Sequence, residues 1–110
     1  MEYRTTDGVA RRVHKQYVDV VNRISSGGSV LPIAVCWRDG RCFYIDEILS
    51  HSGFGINVQG YRTSTYEIRF GAHTTELHLE HYHKDDPVHG PKDRLRWWVW
   101  AFDHPENSSP

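Results

Sequence analysis

Residues 30–49, VLPIAVCWRDGRCFYIDEIL, admit few structures other than two strands joined by a tight turn. Both arms are rich in β-branched and aromatic side chains, and Asp39-Gly40 between them is a dipeptide on which strands turn readily. Side-chain parity then selects a register. A two-residue loop pairs Trp37 with Cys42 and sets Ile33, Val35 and Trp37 on one face with Tyr44 and Asp46. A three-residue loop, with Arg38 and Asp39 in a type I turn and Gly40 left-handed, pairs Trp37 with Arg41 instead. It aligns Ile33, Val35, Phe43 and Ile45, so burial favours it. Cys36 and Cys42 then become cross-strand neighbours opposite Trp37, placed to form a disulfide on mild oxidation.

The rest of the chain reads as further strands. Residues 15–24 carry Val18, Val20 and Ile24 in phase, and the SSGGS run that follows is a turn. Residues 50–60 hold three glycines without alternation, a loop whose Phe54 and Ile56 fold back onto a sheet edge or an open end. Residues 61–70 alternate with Tyr66, Ile68 and Phe70 on one face. Residues 74–82 turn Leu77 and Leu79 inward and Glu76, His78 and Glu80 outward. Residues 84–93 form an exposed excursion, and residues 94–102 (RLRWWVWAF) form the last strand. No segment keeps helical periodicity over three turns.

The expected fold is therefore all-β, an antiparallel meander of about five strands closing as an SH3-like roll or half-barrel, because closure removes exposed edges. An open sheet paired in a dimer is the second architecture. One domain, residues 13–102, is flanked by flexible tails at 1–12 and 103–110. Its expected core has Trp37 and Trp97 at the centre, with Ile33, Val35, Phe43, Ile45, Ile68, Leu77, Leu79 and Val99 around them.

Composition narrows the function classes. Aromatic residues make up 13% of the 110, so a few large rings build the core. Thirteen basic residues against fourteen acidic leave a net charge of −1, which argues against a dedicated nucleic-acid binder. No apolar stretch resembles a signal peptide or approaches the roughly 18 residues of a membrane span. A cytoplasmic protein is expected, with Cys36 and Cys42 reduced and acting as small apolar side chains.

The hairpin also carries a resemblance. Pro32, Ile33, Val35, Trp37, the Asp39-Gly40-Arg41 turn, Phe43, Ile45, Asp46, Ile48 and Leu49, together with Arg96, Trp97, Trp98 and Val99, are similar to a pattern in a group of short, uncharacterised bacterial proteins. The likeness covers most of residues 15–102, with specific matches in the hairpin and the last strand. It departs at the 84–93 loop and at both cysteines. It implies a compact β domain and brings no activity with it. Arg41 and Asp46, the polar members of the pattern, read as a surface ion pair or turn cap ahead of a ligand contact.

Two constellations could carry chemistry. Of eight histidines, five lie in residues 73–89. On a strand, i and i+2 share a face, so His81 with His83, or His78 with Glu80, could grip one metal ion, with His89 or Asp85 as a third ligand. The bland reading is a solvated edge strand that takes up zinc or nickel only adventitiously, and no cofactor is expected.

The second constellation is the last strand. Leu95, Trp97, Val99 and Ala101 share one face, and Arg96, Trp98, Trp100 and Phe102 share the other. If the first set fills the core, the second is either an exposed aromatic stripe, suited to an interface or to stacking a ligand, or a doubly covered one over which the tails or the 50–60 loop lie. The expected function is binding rather than catalysis, as a homodimer centred on Trp98 and Trp100 or with a protein partner. Catalytic motifs are weak: there is no phosphate-binding glycine loop and no G-x-S-x-G elbow. A metal-binding or metal-dependent domain on residues 73–89 is the alternative, and a single-stranded nucleic-acid barrel stacking bases on the aromatic stripe comes third.

Overall fold

The computed structural model describes residues 2–6 and 9–102, and side chains for residues 12–101. The fold is all-β and antiparallel, with strands β1 (Glu2–Thr6), β2 (Val9–Ile24), β3 (Val30–Cys36), β4 (Cys42–Tyr44), β5 (Glu47–His51), β6 (Tyr61–Phe70), β7 (His73–Lys84) and β8 (Lys92–Phe102). The sheet runs β4-β3-β2-β8-β7-β6-β5, with β1 paired to β2, and curls into a half-barrel. No helix among the described residues is long and apolar enough to cross a membrane.

The hairpin takes the three-residue register. Trp37 N–H donates to Arg41 O at 2.8 Å, Gly40 N–H donates back to Trp37 O at 3.0 Å, and Gly40 has φ +92°. Asp39 caps the turn through the Arg41 N–H, which holds its carboxyl below the usual carboxylate range. Cys36 pairs with Cys42 and the two are joined by a disulfide, in contrast to the reduced thiols expected from a cytoplasmic setting.

The strand count exceeds five because the second arm of the hairpin changes partner. Ile45 N–H still donates to Ile33 O of β3, but Asp46 N–H donates to Arg69 O of β6. One bent segment thus belongs to both ends of the sheet order, with β4 at one end and β5 at the other. Asp46 anchors the bend by accepting from Gly71 N–H, with Arg69 3.9 Å from its carboxylate. Arg41 bonds Asp39 at 2.7 Å, the ion pair within the turn.

The N-terminal stretch also differs from a loose tail. β1 pairs with the start of β2, from Glu2↔Val13 to Thr6↔Val9. The expected tail at 103–110 lies outside the described residues.

The core sits on the concave face: Val35, Tyr66, Ile68, Leu77, Leu79, Trp97 and Val99 are buried, with Val18, Val20, Trp37, Ile45 and Ile48 packed against them. Tyr66 keeps its hydroxyl satisfied by donating to Val30 O at 2.7 Å. Three expected core members sit further out. Ile33 falls at a register irregularity opposite Val21 and Asn22 and is 37% exposed, and Phe43 on the three-residue β4 is 43% exposed. Trp37 is half-buried. In the 50–60 loop, Phe54 meets His81 and Arg62, whereas Ile56 stays in solvent. The loop ends at Gly60, where a side chain would strike His83 O at 2.8 Å.

Candidate binding site

The β2–β8 ladder runs from Val13↔Phe102 to Val18↔Trp97 and stops there, although both strands continue. From Asp19 onward β2 is held on its other edge by β3, and β8 before Trp97 is held by β7. The strands diverge and open a cleft of about 580 Å³. That volume lies within the range of small-molecule sites. Inner-face side chains Val18, Val20, Leu95 and Trp97 give the cleft an apolar lining. Tyr17, Asp19 and Arg96 add polar groups from the outer face, and Arg38 adds one from the hairpin turn. Divergence also explains Leu95, which parity assigns to the core side but which is 61% exposed.

Tyr17 and Arg96 are positioned by a buried carboxylate. Glu80, 3% exposed, faces Arg96 across the β7–β8 ladder. It takes Lys15 Nζ at 3.3 Å, the Tyr17 hydroxyl at 3.3 Å and Arg96 Nη2 at 3.2 Å. Arg96 Nη2 also donates to the Tyr17 hydroxyl at 3.1 Å, and its guanidinium stands 4.0 Å over the Tyr17 ring. Burial raises the Tyr17 pKa, and the Glu80 charge raises it further, so the phenol stays protonated and donating. A carboxylate this buried requires such company, since an unpaired charge out of water is costly.

The aromatic stripe is covered within the chain. Trp98 is 5% exposed, stacked on His78 at 4.1 Å, edge-on to Trp100 at 4.8 Å, with Lys15 Nζ 4.6 Å from its ring. Trp100 is half-buried, and the Phe102 side chain lies outside those described. Arg96 turns to Glu80 and Tyr17. Of the two alternatives for this stripe, cover within the chain is the one seen at Trp98, supplied by His78 of β7, Lys15 of β2 and Trp100 rather than by the 50–60 loop.

The histidine segment is dispersed. His78 and Glu80 share the outer face as parity requires, but Glu80 is committed to Lys15, Tyr17 and Arg96, and His78 Nδ1 to the Thr65 hydroxyl. His81 Nδ1 accepts from Arg62 at 2.9 Å while its Nε2–H donates to Asp93, whose carboxyl is thereby held below the usual range. His83 reaches Asp85 at 3.2 Å, and His89 bonds Asp86 in the loop at 3.1 Å. No group of three or more His, Cys, Asp or Glu among the described residues is placed to hold a metal.

Two hydroxyl–imidazole pairs lie among the described residues, Ser64 with His51 Nε2 at 2.8 Å and Thr65 with His78 Nδ1 at 2.9 Å, but Ser64 is 1% and His78 7% exposed, which keeps both pairs from a substrate. Of the cleft residues, Tyr17, Asp19 and Arg38 carried no signal in the motif reading. The alternation of Lys15, Tyr17 and Asp19 with Val18 and Val20 was the trace available. Comparison of the chain with protein-family models, curated proteins and solved structures yields no match.

Proposed function

We propose that this chain is a small binding domain, an SH3-like roll in a cytoplasmic protein, and that it acts through the cleft between β2, β3 and β8 rather than by catalysis. The observation that carries this reading is the early end of the β2–β8 ladder at Val18↔Trp97, which leaves an apolar lining beside polar groups. One histidine of the 73–89 segment supports the same choice. His81 has both ring nitrogens engaged, by Arg62 and Asp93, so it has no lone pair free to act as a base. A fragment screen read by amide and indole NMR tests the reading. Perturbations gathered on Val18, Val20, Leu95 and the Trp97 indole are expected, and hits confined to other surfaces would overturn it.

A protein partner or a second copy is the second reading, now moved away from Trp98. The register Val21↔Ala34↔Tyr44 puts three apolar side chains in one row across β2, β3 and β4, with Val21 54% and Tyr44 75% exposed. Sedimentation at high micromolar concentration tests it. Self-association that Tyr44→Ser abolishes is expected, and association unaffected by that change would exclude this row.

A further inference from the structure

We infer that the cleft selects a small ligand with an apolar body and a single carboxylate head, held between Arg96 and Arg38. The inference rests on the cleft being the binding site. Its first support is charge. Lys15 and Arg96 share the one carboxylate of Glu80, so that buried cluster keeps one positive charge. Arg38 adds a second and Asp19 offsets one, leaving the cleft with a net positive charge of one unit. Arg38 carries no ion pair among the described residues, so its guanidinium is available.

The second support is preorganisation. Arg96 spends only Nη2 on Glu80 and the Tyr17 hydroxyl, while stacking on the Tyr17 ring fixes its plane. Its Nε and Nη1 donors make no hydrogen bond among the described residues. A planar guanidinium held in this way offers the paired N–H groups that a carboxylate accepts in bidentate fashion. The third support is the apolar lining: Val18, Val20, Leu95 and Trp97 bury an aromatic or aliphatic body, whereas a compact, multiply charged anion would leave them wet.

Calorimetry with 2-naphthoate and its neutral isostere 2-naphthamide tests the inference. The expected result is naphthoate binding roughly tenfold more tightly or better, the gap expected of one charge-assisted bidentate contact. Arg96→Gln should close the gap between the two probes. Arg38→Gln, at an exposed turn position where folding is not at stake, should narrow it. Equal binding of the two probes, or a gap that survives both substitutions, overturns the carboxylate inference and leaves the cleft as a binding site. Absence of binding by either probe, in a protein whose fragment hits also avoid the cleft, overturns both.

Discussion

Trp97 and Trp98 are neighbours in β8 and are almost equally buried, at 8% and 5% exposed, yet by different means. Trp97 faces the concave side and packs among Leu77, Leu79, Val99 and Tyr66, a conventional apolar core. Trp98 faces outward, where no second layer exists among the described residues. It is covered instead by stacking on His78, the edge of Trp100 and the stem and charge of Lys15, beside a carboxylate that three donors share. A single curled sheet can therefore bury both of its faces when the outer one carries long amphipathic side chains that lie flat across it. The inner face holds by apolar area. The outer one holds by geometry and charge.

Four substitutions separate these two modes. Trp97→Ala should cost about 3–5 kcal/mol in urea unfolding, the loss expected of a large buried ring and enough to unfold a domain of ordinary stability. A loss near zero would mean that the concave side is not the core. Trp98→Ala should cost about 3 kcal/mol, at the lower end of that range because its covering groups can collapse into the space. If instead the variant is as stable as the parent and only its sedimentation changes, Trp98 is an interface residue and the comparison breaks.

Glu80→Gln should cost about 1–2 kcal/mol, since the amide keeps one acceptor oxygen, turns the other into a donor and loses the charge. It also carries a sign. The Tyr17 pKa is raised above 10.0 in the folded chain, so the unfolded chain releases that proton first and stability falls as pH rises past 10.0. Removing the Glu80 charge should soften this alkaline fall. A steeper fall in the variant would contradict the arrangement.

Asp93→Asn should have the smallest effect and is read as a pH dependence. The His81 hydrogen bond lowers the Asp93 pKa, so its stabilising contribution is present above the usual carboxylate range and is lost as pH falls through the lowered value. Melting temperatures between about pH 6 and pH 2 should therefore fall less steeply in the variant. Parallel curves would mean that the His81–Asp93 contact is absent in solution.

What was legible in the sequence was local. The hairpin register followed from Gly40 and from the pooling of Val35 and Ile45 on one face, and both operate within a few residues. The two faces of β7 and β8 followed from alternation alone. The partner change at Ile45 and Asp46 was not legible, because it is decided by Arg69, more than twenty residues along the chain. The cleft was hidden for the same reason: it exists where β2 exchanges β8 for β3, and Tyr17 meets Glu80 across 63 positions. Parity assigned Trp98 to the outer face correctly, but exposure depends on what lies flat beside it, which no single-strand pattern contains.

The bent segment at Ile45 and Asp46 has a consequence for how the chain reaches this state. On its N-terminal side β2, β3 and β4 form one run of adjacent hairpins, and on its C-terminal side β5 to β8 form another. Each run can assemble from near neighbours. The β2–β8 ladder joins positions near 15 to positions near 100, the longest separation in sequence of any ladder in the sheet. Closure of so long a loop is slow, because chain entropy is lost before any contact offsets it. This ladder is also the shortest path by which the halves come apart. Native-state hydrogen exchange should show amides of its six pairs opening together, ahead of those of the ten-pair β6–β7 ladder. The cleft lies where that ladder stops, so the loosest seam of the sheet and the cleft share one boundary.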